Sequence, residues 1–420
     1  MIYLKVVVPF LKITVYMKQV SISVLIVFIL FVFSSKVFSQ AEKELSTEQK
    51  VKDFEYLYTV LKDNYPYFGV GMRSNGIDWL SKKNEYLDLI KKTGNDSAYV
   101  FTLNSVLTEL GNGHVDLSFV EYWDSYKDLY KNIAINYPEY KKWAIVLEDP
   151  IARPSYWGKL LKNKKKVVGN EENVIKRKPR PVFGDSILDN DKIGILRIPS
   201  FGMDRIKKDS AAIISFLDKI KTYDHLIIDI QGNGGGATLY WEENLVRKLI
   251  QDTIIYPQYL VIKNGELNKI FFPQYFEDSE IIKKTDKLPN IPSELLDGTF
   301  CTKIEMDTII PDYTQSFKGK IYVLVDDVVF SSAEGFAYFC KATNWATIAG
   351  QQTGGDGVGS DPIPFILPES GIIVRYPALS GFNLDGSLNF EEKTKPDIPI
   401  EGKDRNERLS KLIEYIRAIN

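Results

Sequence analysis

Apolar residues recur at two different spacings along the chain, and the change from one to the other divides it. Ser46 and Gln49 can form a capping box, and Phe54, Leu57 and Leu61 then follow at helical spacing until Asn64-Tyr65-Pro66. This predicts a helix from Glu48 to Asp63. Trp79–Lys92 and Ala98–Leu110 read the same way, with Val100, Leu103, Val106, Leu107 and Leu110 forming one stripe, so the first unit is a small helical bundle. Gly111-Asn112-Gly113-His114 ends the third helix, and Val115–Phe119 alternates as a half-buried strand does. Beyond Asp191 the period changes. Ile193–Ile198 reads as a strand, Ser210–Thr222 as a helix and Leu226–Ile230 as a buried strand; a helix near Trp241–Gln251, a strand at Lys320–Val325 and a helix at Ser332–Ala342 follow. Strands alternating with helices indicate an α/β core. Asn406–Ile419 closes the chain as an amphipathic helix carrying Leu409, Leu412, Ile413 and Ile416 on one face.

These periods divide the chain into a helical region at 40–118, a weakly patterned stretch at 119–189, an α/β region at 190–400 and a terminal helix at 401–420. The weak stretch contains a basic run from Lys162 to Arg180, which reads as a solvated surface loop. Ahead of them, Lys18 precedes an uncharged stretch from Gln19 to Ser35, and Val37-Phe38-Ser39 supplies a cleavage site before Gln40. Residues 1–39 are therefore expected to be a signal peptide that exports the protein to the periplasm or beyond. The uncharged stretch is shorter than the roughly 20 residues of a spanning helix, so no membrane span is expected after cleavage. A formal net charge of -2 gives no basic excess that would suggest nucleic acid as a partner. The two cysteines, Cys301 and Cys340, exclude a disulfide scaffold and a cysteine-built zinc site; both pairing and a buried free thiol at Cys340 remain open.

Three segments could carry chemistry. In Ile321–Glu334 a strand leads through a turn into a helix, placing Ser331 at a helix N-terminus where the dipole and unpaired N–H groups favour negative charge. Ser331-x-x-Glu334 is also an ordinary capping box. Asp229-Ile230-Gln231-Gly232-Asn233-Gly234-Gly235-Gly236 places four glycines after a buried strand, which lets backbone N–H groups face a cavity. It lacks the spacing and the Lys-Ser/Thr of a phosphate-binding loop. Of the two histidines, His225 precedes a buried strand and reads as structural. His114, flanked by glycine at a strand entrance, is the candidate base.

These segments resemble peptidase family S41, the carboxyl-terminal processing and tricorn-core-like serine peptidases. Leu226–Gly236 resembles the family's Asp-Leu-Arg-x-Asn-x-Gly-Gly signature, and Phe330-Ser331-Ser332-Ala333-Glu334 its nucleophile motif. Ile348–Gly355, Pro396-Asp397-Ile398, Asp53–Leu57 and Gly113-His114 resemble four further motifs in the same order. The resemblance implies a crotonase-like (ClpP/crotonase) spiral core behind an N-terminal helical bundle. It also implies a peptide or protein substrate, no metal or organic cofactor, and Ser331 as nucleophile. The N–H groups of Ser332 and of Gly235 or Gly234 would form the oxyanion hole. Where the Ser-Lys branch has its lysine this chain has Asp356, so the Ser-His branch is implied, with His114 as base. The family's carboxylate position holds Phe390; a one-residue shift brings in Glu391 as the group tuning His114. Gly113 stands where the tricorn branch can have serine, and Gln231 where the family has arginine. No carboxylate-binding loop of the PDZ type is legible between Val120 and Asp189. The competing reading is a non-catalytic peptide or apolar-ligand binder whose Gly113, Phe390 and Asp356 mark a decayed site. No paired-carboxylate pattern supports a glycosidase.

Overall fold

In the computed structural model, residues 44–118, 120–167, 183–277, 280–281, 288–312 and 317–419 are described. The expected signal segment and residues 168–180 of the basic run lie outside them. Helices cover Thr47–Asn64 (α1), Phe68–Asn75 (α2), Lys83–Lys91 (α3) and Asp96–Thr108 (α4). The Asn95 side chain caps α4 by accepting from the Ala98 N–H, and the stripe of Val100, Leu103, Val106 and Leu107 is buried. The short α2 is absent from the sequence reading, because it has only two turns and one buried residue, Val70. The expected strand after His114 shrinks to Asp116–Leu117 (β1).

The first part of the weakly patterned stretch is largely helical: Val120–Asn136 (α5), Lys141–Leu147 (α6) and Pro154–Val167 (α7). Its apolar residues are aromatic and scattered, which blurs the period. Trp143 on α6 is buried and donates its indole N–H to the Pro362 carbonyl at 2.8 Å, tying this region to the residues beside the site.

The α/β region begins with Gly184–Leu188 (β2), Ile193–Arg197 (β3), Ile206–Lys219 (α8) and His225–Asp229 (β4). A helical stretch at 238–249 includes a π-helical turn, Glu242–Val246. Ile254–Lys263 (β5), Glu280–Ile281 (β6) and Phe300–Ile309 (β7) follow, then Lys320–Val325 (β8), Ser332–Thr343 (α9) and Thr347–Gly350 (β9). Ile363–Ile366 (β10), Ile373–Tyr376 (β11), Leu379–Phe382 (β12), Ile398–Pro399 (β13) and Arg405–Ile419 (α10) complete the chain.

A six-stranded sheet in the order β13-β9-β8-β4-β3-β2 forms the centre, parallel except for β2. Its inner strands are buried on both faces, so they read as continuous apolar runs rather than alternating ones. One face, with Ile193, Ile195, Ile227, Tyr322, Leu324 and Ala349, packs against Leu412 and Ile416 of α10. The opposite face lies under helices that include α9, whose Phe336 and Phe339 meet Trp241. A four-stranded antiparallel sheet, β12-β5-β7-β6, and a three-stranded one, β1-β11-β10, complete the mixed α/β fold. Cys340 is fully buried on α9, Cys301 is partly buried on β7, and neither is in a disulfide.

Candidate active site

Three adjacent parallel strands deliver the site. At the C-terminal end of β4 the chain enters the glycine turn 232–236, at the end of β8 it reaches Ser331, and at the end of β9 it reaches Asp356. The ends of such strands are where open α/β sheets hold ligands. The β4–β8 pairing, Asp229 opposite Leu324, continues as an Ile230 N–H to Leu324 carbonyl bond of 3.0 Å. Asp326 then accepts from the Gly232 N–H at 2.7 Å, locking the two turns together.

Ser331 sits immediately before α9 with φ 56° and ψ -131°, a left-handed conformation that is costly for a residue with a side chain. The capping-box reading is not realised. Its hydroxyl makes no capping bond and lies 3.1 Å from His114 Nε2, while Glu334 is bound elsewhere. Gly235, at φ 97°, lies against this bend: a Cβ there would be 2.8 Å from both the Phe330 carbonyl oxygen and Ser331 Cβ. A Cβ on Gly236 would be 2.2 Å from the Phe201 carbonyl oxygen. Close backbone approach accounts for these two glycines.

The imidazole of His114 rests on the ring of Phe330, with centroids 4.7 Å apart, and its backbone N–H is held by Asn112 Oδ1 at 2.7 Å. Nδ1 lies 2.7 Å from Asp356 Oδ2. The hydrogen-bond pattern assigns the proton to Nδ1, which leaves Nε2 as acceptor for the Ser331 hydroxyl. The other Asp356 oxygen accepts from the Tyr67 hydroxyl at 2.9 Å. Burial first, and then the Asp356 charge, push the Tyr67 phenol well above its usual pKa, so it is a permanent donor to the carboxylate.

The sequence-derived carboxylate is corrected by this geometry. Glu391 is not at the imidazole; it accepts two bonds of 2.7 Å from Arg73. Asp356 occupies the position beside His114, and the sequence carried a sign of it: a lone acid flanked by Gly355 and Gly357, much as His114 is preceded by Gly113. Tyr67 left no comparable sign. The glycine assignment also shifts. The Gly235 N–H is taken by Asn233 Oδ1 at 2.9 Å, while Gly236, which the sequence reading left out, lines the cleft beside Ser331 together with the expected Ser332. That cleft encloses about 150 Å³ and is completed by His114, Tyr140, Thr238, Asp356, Ser360, Asp361 and Leu379 among others. His225 is buried at the start of β4 against Tyr322, and so at the end of that strand opposite the glycine turn.

Residues 192–400, which include the glycine turn, Ser331 and Asp356, match the profile of peptidase family S41. The chain belongs to peptidase family S41. Its fold is similar to that of a candidate peptidase from Parabacteroides merdae, at 19% identity and a TM-score of 0.55 over 88% of this chain and 98% of that one. Mature CPAF solved with lactacystin superposes with a TM-score of 0.56 at 12% identity, covering 89% and 97% of the two chains. The S499A mutant of CPAF gives 0.54 at 13%, covering 89% and 96%.

The departures of this S41 chain from its family pattern have physical counterparts. A Cβ at Gly113 would come within 3.3 Å of the Phe330 ring, which supports the imidazole from below, so glycine is the residue that fits most easily. Phe390, at the family's carboxylate position, packs on Tyr67 with centroids 4.7 Å apart. Gln231 replaces an arginine next to Arg408 of α10, whose Nε donates to Gln231 Oε1 at 2.6 Å. A second guanidinium at 231 would face that cation at close range.

Proposed function

We propose that this chain is a serine endopeptidase acting through an acyl-enzyme on Ser331. The observation that carries the reading is the continuous chain of bonds Ser331–His114–Asp356, with Tyr67 behind it. His114 Nε2 takes the hydroxyl proton as Ser331 Oγ attacks the peptide carbonyl carbon. Charge on the carbonyl oxygen is held by the N–H groups of Ser332, at the start of α9, and of the glycine turn, with Gly236 lining the cleft. The imidazolium, stabilised by Asp356, returns the proton to the leaving amine, and water then releases the acyl group by the same route. A crotonase-like spiral core is the fold-level expectation that goes with this reading. The Lys18–Ser39 pattern supports export; among the described residues no helix is long and apolar enough to cross a membrane.

The rival reading, a non-catalytic binder, took Gly113, Phe390 and Asp356 as marks of decay. Their packing against Phe330, Tyr67 and His114 favours an assembled site instead. The deciding measurement is labelling with a fluorophosphonate followed by intact-mass analysis. One adduct is expected on the unaltered protein and none on Ser331→Ala. His114→Ala should cost roughly 10⁴-fold or more in peptide turnover. An adduct that persists in Ser331→Ala overturns the assignment.

A further inference from the structure

Among the ionisable side chains that line the cleft, the proposed chemistry uses His114 and Asp356 and leaves Asp361 without a role. Asp361 follows the glycine-rich segment 354–359 and faces the same space as Ser331. Arg375, the arginine whose field reaches it, is committed elsewhere: it forms a two-pronged pair with Asp116 and lies 4.6 Å from the Tyr126 ring centroid. His114 holds its Nδ1 proton on Asp356. The phenol of Tyr140, which also lines the cleft, is the side chain that hydrogen-bonds toward Asp361. No Lys or Arg of the described residues forms an ion pair with it. A carboxylate left beside a nucleophile without a cation loses hydration when a substrate closes over it, and that loss is offset only by a positive substrate group.

We infer that Asp361 is a specificity-determining residue that selects a cationic group, ammonium or guanidinium, next to the bond being cleaved. The inference rests on the peptidase reading and names its substrate class. Burial holds the Asp361 carboxyl above its ordinary pKa, opposed first by His114 and then by Arg375, and a cationic substrate group beside it would act in the same opposing sense. Lysine and arginine side chains, or the free amino group of a peptide, supply the same chemistry.

The test is a digest of a proteome-derived peptide library, with new termini read by mass spectrometry, using unaltered protein, Asp361→Asn and Asp361→Lys. At one position beside the cut, lysine and arginine should be favoured over neutral residues by about 10- to 100-fold, the worth of a hydrogen bond to a charged group. The preference should vanish in Asp361→Asn and turn toward Asp and Glu in Asp361→Lys. Acetylating the library distinguishes the sources, since a preference for free amino termini disappears and one for side-chain guanidinium persists. Cleavage without basic preference, or a preference unchanged in Asp361→Asn, overturns the inference while leaving the peptidase reading intact. If no cleavage occurs, that reading fails separately, and binding to Ser331→Ala protein decides. A lysine peptide should then bind about tenfold or more tighter than its norleucine twin, and less so once Asp361→Asn is added. Equal binding of the twins overturns the inference.

Discussion

The hydroxyl of Tyr67 is the least expected contributor to the site, because it reaches the Asp356 carboxylate from the loop between α1 and α2, 289 residues away in sequence. Its effect should be on orientation. With both Asp356 oxygens engaged, the carboxylate cannot rotate away from Nδ1, and the imidazole keeps the tautomer that leaves Nε2 free. Tyr67→Phe retains the ring that packs on Phe390 and removes only the donor. A charge-assisted bond is worth about 1.5–3 kcal/mol, and part of it is felt in the transition state, so kcat should fall about 3- to 30-fold with KM nearly unchanged. Fluorophosphonate labelling of Ser331 should slow in parallel. A fall in KM-dependent binding with an unaltered labelling rate would assign Tyr67 to substrate contact instead. This residue also shows why site legibility stops where it does. His114 and Ser331 are found from glycine-flanked or strand-to-helix contexts that their own neighbours create. The value of Tyr67 lies wholly in a contact made by folding, and the glycine-flanked Asp356 gains its partner only once folding brings His114 beside it.

At the scale of elements, α9 begins directly after Ser331 and carries an unusual acid in its first turn. Glu334 is fully buried, and its Oε1 accepts from Asn389 at 2.8 Å and Thr394 at 2.6 Å. Burial raises its pKa from 4.5 to about 7, against the opposing hydrogen bonds of Thr353, Thr394 and Asn389. Below pH 4.5 the folded and unfolded chains both hold this proton. Between there and about 7 the unfolded chain has lost it and the folded chain retains it, so the group's contribution to stability falls as pH rises through that window. The loss is at most about 3 kcal/mol and is complete above neutrality. Urea denaturation at pH 5 and pH 8 should show Glu334→Gln losing less stability than the unaltered protein over that interval; equal losses would sink the argument. The same scale explains which elements are readable in advance. β3, β4 and β8 announce themselves because a strand buried on both faces is an unbroken aliphatic run, and α1, α4 and α10 because one apolar stripe faces a core. β5 and β7 do not: over ten residues each mixes buried and half-exposed positions, and their pairing partners, not their composition, make them strands.

Over the whole molecule, the bonded chain Ser331–His114–Asp356–Tyr67 is assembled from both ends of the sequence. His114 and Tyr67 come from the helical half and Ser331 and Asp356 from the sheet, while α10 clamps the turns from behind. Asp53 on α1 accepts from the N–H groups of Glu369 and Ser370 at 2.8 and 2.9 Å, fixing the helical half to the turn between β10 and β11. At the other end, Arg408 of α10 donates to Gln231, to the Gly402 carbonyl and, at 3.3 Å, to Asp326, the residue that holds Gly232. Arg405 adds a weaker approach to Asp326 at 3.5 Å. The Asp326 side chain is only 3% exposed, and Arg408 and Arg405 are the cations paired with it among the described residues. Arg408→Met keeps much of the side-chain volume but leaves Asp326 with Arg405 alone, which should cost roughly 2–4 kcal/mol of stability. Because Asp326 also grips the glycine turn, the variant should label at Ser331 more slowly even at temperatures where it remains folded. Circular dichroism melts together with labelling rates at low temperature separate the two effects. A destabilised variant with an unaltered labelling rate would mean that α10 supports the sheet without positioning the turn that faces Ser331.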